Sequence, residues 1–290
     1  MTPRRKAGSP NRARNFSPKP PARRSVDRDW PGVSSSCNSE EIRERLDCMQ
    51  LLAPAKINLS LEIKARREDG FHEIETLMTP ISLADELTIT GAAHTLGIDF
   101  RCDDPSLPIG PDNLVIRAAE LFSRTTGQKV DVTIQLRKKI PHGAGLGGGS
   151  SDAATTLLGL NRFYQTNLAS TELARLAAEI GSDVPFFLFQ SAAVCRGRGE
   201  MVEPGKLAGA LSFLLLKPSF GVPTSWAYSR WKDSKQSPEV TYDAQESGGV
   251  RLVNDLERPV FEKFVILAQA KMWLLKQPEV GAALLSGSGS

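Results

Sequence analysis

Pro141-His142-Gly143-Ala144-Gly145-Leu146-Gly147-Gly148-Gly149-Ser150-Ser151-Asp152-Ala153-Ala154 follows an apolar strand ending near Ile140 and runs straight into an Ala-rich helical pattern. Five glycines in this stretch let the backbone approach an anion closely and turn its N–H groups toward it, and the positive end of a helix dipole adds to that field. The spacing predicts a helix that starts at Ser150 or Ser151, capped by their hydroxyls, which can also meet a phosphate oxygen or Mg²⁺. A flexible linker matches this arrangement poorly. The stretch lacks the Lys that follows the last Gly of a P-loop, and it has no acid placed as in a dinucleotide-binding unit.

Outward from this loop the chain reads as mixed α and β. Apolar strand patterns fall at Leu51–Ala53, Ile57–Ile63, Glu86–Thr90, Val130–Gln135 and Leu211–Leu216. Helical periodicity covers Asn113–Thr125, Ser151–Phe163, Thr171–Ile180 and Phe261–Lys276, the last stopped before Pro278. The Gly/Pro-rich stretch Gly197–Gly209 predicts a domain boundary, and Arg230–Gly249 a polar surface loop. The division expected is a tail over 1–48, a nucleotide-binding domain over 49–205 and a second domain over 206–290.

Composition narrows the classes. The chain has 290 residues, 40% of them hydrophobic, enough for a substantial core. No apolar run approaches the ~18 residues of a membrane-spanning helix, so no membrane partner is expected. Cys37, Cys48, Cys102 and Cys195 show neither a CxxC pair nor metal-ligand spacing, which predicts free thiols. The formal charge of +3 sits in the tail, where residues 1–48 carry 11 Lys/Arg against 6 acids. The remainder, with 25 basic and 27 acidic residues, is close to neutral and gives no reason to expect nucleic acid as a partner. Residues 1–36, rich in Pro, Arg and Ser, are expected to be disordered. A transit peptide, a nucleic-acid-binding arm and translation from an early start codon ahead of Met49 compete for them, and the last is favoured.

Two further motifs carry polar groups where an apolar pattern would not. In Ala53-Pro54-Ala55-Lys56-Ile57-Asn58-Leu59, Lys56 and Asn58 share one face of a strand by their spacing of two. They suit either a site or the solvent face of an edge strand. In Gly181-Ser182-Asp183-Val184-Pro185-Phe186-Phe187, Asp183 is either a turn former or a carboxylate held in a dry pocket, and by itself the motif favours the turn.

In this order the three motifs resemble those of the GHMP kinases, small-molecule kinases that phosphorylate a hydroxyl with ATP. The resemblance runs from about Leu51 to Ser290 and extends to Asp69-Gly70-Phe71-His72-Glu73-Ile74, Asp112-Asn113-Leu114, Gly199-Glu200, Val222-Pro223-Thr224, Asn254-Asp255-Leu256 and Leu285-Ser286-Gly287-Ser288-Gly289-Ser290. It implies an α+β fold of two domains, the first like ribosomal protein S5 and the second ferredoxin-like and incomplete here. It implies ATP and Mg²⁺ as cofactors, with Pro141, His142, Gly143, Ala144, Gly145, Leu146, Gly147, Gly148, Gly149, Ser150 and Ser151 around the phosphates and Ser150 or Ser151 on the metal.

Catalytic roles are implied for Asp183, as general base, and for Lys56 beside it. Phe71 and His72 match the aromatic–His pair of the family branch whose acceptor is cytidine-diphosphate-linked methylerythritol, in the non-mevalonate route to isoprenoids. Many relatives carry Tyr where Phe71 stands; Phe keeps the stacking ring. Asn58 and Thr224 are implied substrate contacts. Residues 1–48 have no counterpart in the family, and the chain stops inside the third Gly/Ser motif, which a linker scar or a truncated gene would explain. Truncation is favoured and would leave an unpaired sheet edge. Other GHMP acceptors (mevalonate, homoserine, a sugar) and an inactive nucleotide-binding homologue remain as alternatives. Bacterial cytoplasm is the expected location, or a plastid if the tail is a transit peptide.

Overall fold

In the computed structural model, residues 48–91 and 96–289 are described. The tail expected to be disordered lies outside the described residues, Cys48 excepted, as does Ser290. Two long strands dominate, β1 (Cys48–Arg66) and β2 (His72–Gly91), paired antiparallel over almost their whole length. The turn between them follows from Asp69-Gly70: Gly70 takes φ +84, Asp69 Oδ1 accepts the Phe71 N–H at 3.1 Å, and the Arg67 N–H donates to the Phe71 carbonyl at 2.8 Å.

The sheet order is β3 (Ile98–Cys102), β4 (Val132–Arg137), β2, β1, β8 (Val250–Asn254), β7 (Gln245–Ser247). The first half of β2 also pairs with β5 (Ala193–Gly197), and β5 with β6 (Met201–Pro204). Lys56 and Asn58 do not face solvent: each is 6% exposed, and the outer edge of β1 is covered there by the glycine loop and Ser286 and farther on by β8, so the exposed edge-strand reading is overturned.

Four helices cover one part of the sheet: α1 (Leu114–Thr126), α2 (Gly148–Phe163), α3 (Ser170–Ile180) and α4 (Val184–Leu188). Asn113 caps α1 by accepting the Val115 N–H at 2.9 Å, and Gly127 ends it at φ +69. Their apolar faces close over Leu87, Ile89, Ile134 and Leu136. Phe122, Leu157 and Leu176 are fully buried there, and truncating a Leu at such a position costs about 2–5 kcal/mol. A second cluster joins the turn end of β1 to α5 (Thr224–Ser229), α6 (Glu257–Lys263) and α7 (Val265–Leu274).

Four sequence expectations are corrected. The helix after the glycines begins at Gly148, with Gly147 as its cap and no side-chain capping bond, so Ser150 and Ser151 lie within its first turn. Glycine's freedom at φ +71 lets Gly147 turn the chain into the helix without a capping hydroxyl. Leu211–Leu216 is not a strand. An apolar run supplies propensity, but a strand needs a ladder partner, and no described strand lies alongside this one.

Phe261–Lys276 is not one helix. Phe264 leaves helical geometry (φ −108°, ψ 69°), and its ring stacks on Phe220 at 5.5 Å and meets the edge of Trp226 at 5.7 Å. Periodicity does not register one residue that trades a helical turn for an aromatic cluster. Last, Arg230–Gly249, expected as a loop, contains β7.

Candidate active site

A cleft of about 700 Å³ opens where β1, the β1–β2 turn, the glycine loop, the β5–β6 turn, α5 and the chain's last residues meet. Lys56, Asn58, Phe71, His72, Asp183 and Thr224 all line it, together with Gly145 of the loop. Residues read from separate motifs are thus brought to one cavity.

Lys56 stands at its centre. Its backbone N–H donates to the Leu146 carbonyl at 2.9 Å, tying β1 to the glycine loop. Its Nζ donates to Asn58 Oδ1 at 2.7 Å and lies 3.9 Å from Asp183 Oδ2. Asn58 in turn donates from Nδ2 to Thr76 Oγ1 at 2.8 Å, which holds the amide the right way round for Lys56. Irregularities in the β1–β2 register between Pro54 and Lys56 and between Asn58 and Ser60 allow this polar pair inside an otherwise apolar strand.

Asp183 stands in the turn Gly181–Val184, closed by the Val184 N–H to the Gly181 carbonyl at 3.2 Å, and immediately precedes α4 without a side-chain capping bond, so the turn reading describes its backbone. Its carboxylate is about 42% exposed, facing the open cleft rather than a dry pocket. It acts on its surroundings: burial, then the Asp183 charge, pushes the Tyr228 hydroxyl up, and the same two causes push the Cys195 thiol up to about 12. Both groups therefore stay protonated at neutral pH.

The loop itself alternates. Pro141, His142 and Gly143 are exposed, whereas Ala144 and Leu146 are buried against Ala55, Ile57 and Ile140. Gly143, Gly145 and Gly147 all have φ near +70°, the left-handed conformation found where successive peptide N–H groups form an anion-binding concavity. Gly147 tolerates no side chain, since a Cβ there would stand 2.7 Å from Phe187 Cζ and 3.1 Å from Lys56 Cγ. The first helical bond runs from the Ser151 N–H to the Gly147 carbonyl, so the N–H groups of Gly148, Gly149 and Ser150 are left for an anion. Gly149 is exposed and Ser150 partly so. The Ser151 hydroxyl is buried without a hydrogen-bond partner among the described residues.

Beneath the loop sits a buried ionic triad. Lys138 Nζ lies 2.5 Å from Asp85 Oδ2 and 2.8 Å from Asp152 Oδ2, while Asp85 Oδ1 accepts the Lys139 and Ile140 N–H groups at 2.5 and 2.8 Å. Burial pushes the Asp152 carboxyl up to about 7, against the pull of the Lys138 charge and with the Asp85 charge adding to the rise.

At the other end of the cleft Phe71 is half exposed, and the Arg198 guanidinium lies 4.9 Å from its ring centre. His72 rests 5.3 Å from Tyr228 and 6.0 Å, edge-on, from Trp231. Burial, then the charges of Arg66 and Lys232, pushes its imidazole below the usual range, so it is neutral at pH 7 with one donor and one acceptor nitrogen.

The chain's last residues are part of the site. Asn254 Nδ2 donates to the carbonyls of Leu285 and Gly287 at 2.6 and 2.7 Å, the Asn58 N–H donates to Ser286 Oγ at 2.9 Å, and the Thr224 and Ser288 hydroxyls meet at 2.9 Å. Gly287, at φ +60, comes close enough that a Cβ would stand 3.2 Å from Asn58 Oδ1. Sequence reasoning did not single out Thr76, Arg198, Tyr228 or Trp231. Arg198 could have been found from its place between two glycines in Gly197-Arg198-Gly199-Glu200; nothing in the local sequence marks the others.

Residues 113–191 match the family described as GHMP kinases N terminal domain. A protein of Methylacidiphilum infernorum named 4-diphosphocytidyl-2-C-methyl-D-erythritol kinase is 44% identical over 241 residues, covering 82% of this chain and 83% of that one. A Geobacter protein of the same name is 36% identical over 246 residues, covering 83% and 87%. A crystal structure titled 4-(cytidine 5'-diphospho)-2C-methyl-D-erythritol kinase superposes with a TM-score of 0.68 at 38% identity, covering 83% of this chain and 88% of that one. With the phosphate-type loop, the Lys–Asp pair and the aromatic–His pair lining one cleft, the chain belongs to the 4-diphosphocytidyl-2-C-methyl-D-erythritol kinase family of GHMP kinases.

Proposed function

We propose that the chain transfers the γ-phosphoryl group of ATP to the C2 hydroxyl of 4-diphosphocytidyl-2-C-methyl-D-erythritol, a step of the non-mevalonate (MEP) route to isoprenoid precursors. The observation that carries this reading is the approach of Lys56 Nζ to Asp183 Oδ2, 3.9 Å, in a cleft that has Phe71 and His72 at one end and Gly145 of the glycine loop at the other.

Asp183 takes the hydroxyl proton as the new O–P bond forms and the bond to the ADP leaving group breaks. Lys56, held by Asn58, stabilises the developing alkoxide. The N–H groups of the glycine loop and the first turn of α2 cradle the phosphates, in keeping with three positive-φ glycines and a glycine cap. Among the described residues no three His, Cys, Asp or Glu side chains gather to hold a metal ion, which suits Mg²⁺ arriving on the nucleotide. Of the two candidate hydroxyls, Ser150 is the partly exposed one and Ser151 is sealed, so Ser150 is the one within reach of that ion while α2 stays as it is. Phe71 supplies a stacking face for cytosine, and neutral His72 offers a donor and an acceptor to its edge.

No helix among the described residues is long and apolar enough to cross a membrane. The reading places the chain in the cytoplasm, or in a plastid if the tail over 1–48 acts as a transit peptide.

The test is ADP release with ATP, Mg²⁺ and the cytidine-diphosphate-linked acceptor, beside Asp183→Asn. The expected outcome is turnover that the substitution lowers by at least ~10³-fold while ATP still binds. Binding of ATP with no turnover of this acceptor, but turnover of mevalonate, homoserine or a sugar, would replace the substrate assignment.

A further inference from the structure

The turn between β5 and β6 carries a cation that the reaction described above does not use. Arg198 sits at its tip, between Gly197 at φ +74 and Gly199 at φ +116. The turn is braced: the Arg198 N–H donates to Glu200 Oε2 at 2.6 Å, the Gly199 N–H to the Arg196 carbonyl at 3.1 Å, and Arg196 bonds both Glu75 and Glu203 at 2.7 Å. Such a turn holds its tip in place rather than letting it wave in solvent.

The tip spans the cleft lengthwise. Arg198 reaches the Phe71 ring at 4.9 Å, while a Cβ on the next residue, Gly199, would stand 3.6 Å from Asp183 Oδ1. Arg66 and Lys232 act on His72, and Lys56 pairs with Asp183. Among the described residues lining the cleft, Arg198 is then the cation between the nucleobase end and the reacting end. Its ion-pair partner is Glu200, at 3.9 Å, its charge also acts on Asp69 in the β1–β2 turn, and its guanidinium donates no hydrogen bond to another described residue. A planar fork of donors held in a groove, with its ionic partner at long range, is suited to a phosphate.

In a nucleoside-diphosphate-linked polyol the two phosphates lie between base and polyol, at the place along the cleft where Arg198 stands. We propose that Arg198 is a specificity-determining residue that contacts the diphosphate of the acceptor, so that the cleft selects a nucleoside diphosphate linkage over a bare nucleoside. The inference rests on the function proposed above. The closing Gly-Arg-Gly turn supplies the contact, and Phe71 keeps the guanidinium flat by cation–π attraction when no substrate is present.

The experiment is calorimetric binding of cytidine and of CDP to the full chain, with a non-hydrolysable ATP analogue saturating the glycine loop. Arg198→Met and Arg198→Lys are compared with wild type, beside steady-state kinetics. In wild type CDP is expected to bind more tightly than cytidine. In Arg198→Met the CDP affinity falls about 10- to 100-fold, as for loss of charge-assisted hydrogen bonds, while cytidine affinity stays within about twofold and shows the site still folded. Arg198→Lys keeps part of the preference, and the acceptor KM rises in Arg198→Met with the KM for ATP unchanged. Equal losses for CDP and cytidine would overturn the proposal, since Arg198 would then act only through Phe71; so would no loss at all. Wild type binding neither cytidine nor CDP, with no turnover of the acceptor, would defeat the proposed function and this inference together. Turnover with an unaltered Arg198→Met acceptor KM would defeat the inference alone.

Discussion

Gly147 shows how much of the site rests on single residues. Its φ of +71 and the 2.7 Å that would separate a Cβ from Phe187 Cζ make it the hinge on which the loop turns into α2. Gly147→Ala adds a methyl where Phe187 and Lys56 leave no room, an overpacking cost of about 1–3 kcal/mol. The expected outcome is a lower denaturant midpoint together with a raised KM for ATP, because relief of the clash must shift either the loop or the Lys56 stem. Urea unfolding beside ATP kinetics checks it, and an unchanged midpoint would show that the pocket yields freely. At this scale the sequence was informative: glycine spacing announced a loop of positive-φ glycines leading into a helix, and Asp69-Gly70 announced the turn that presents Phe71 and His72. Which glycine caps the helix was not legible, because the deciding contact comes from Phe187, forty residues downstream.

Between elements, the Asp85–Lys138–Asp152 triad joins the start of β2's second half, the end of β4 and the first turn of α2 under the glycine loop. Asp152 leaves Oδ1 buried without a partner, and its carboxyl stands at about 7, far above its unfolded value of 3.8. The sign follows: the folded state binds the extra proton, so this group's contribution to stability is fully present below pH 3.8 and is lost as pH rises through 7. Wild type should therefore lose stability between pH 6 and 8 relative to Asp152→Asn, by at most about 1.4 kcal/mol per pH unit. Thermal unfolding of both proteins at pH 6, 7 and 8 reads this directly. Parallel curves would mean that Lys138 keeps both carboxylates ionised throughout. No sequence pattern marked the triad, since its members lie far apart and each is an ordinary charged residue until the fold excludes water.

Across the whole molecule, the cleft is assembled from the chain's two described ends. Asn58 on β1 bonds Ser286, 228 positions later, and Asn254 on β8 holds Leu285 and Gly287. Asn254→Ala removes both of those bonds and the Leu256 N–H to Asn254 Oδ1 bond at 2.9 Å. Leaving such groups buried and unpaired costs about 1–3 kcal/mol each at most sites. The release of 285–289 from Asn58 and Thr224 is expected to raise the acceptor KM about tenfold or more while ATP affinity changes little. Competitive nucleotide binding beside acceptor kinetics separates the two, and an equal fall in ATP affinity would place the segment's role at the glycine loop instead.

Taken alone, the amino-acid sequence determined the mixed α and β character, the glycine loop ahead of a helix, and a short roster of polar residues in apolar settings, because turn chemistry, periodicity and glycine spacing are local properties. It misjudged Leu211–Leu216, an apolar run without a described ladder partner, and the unbroken helix over Phe261–Lys276, split where Phe264 stacks on Phe220. Tertiary structure alone decided that Lys56 meets Asp183, that Arg198 covers Phe71, and that the last glycines close on Asn58. Each of these depends on strands and loops brought together across long stretches of chain, where burial and charge act through space and local sequence carries no record of the neighbour.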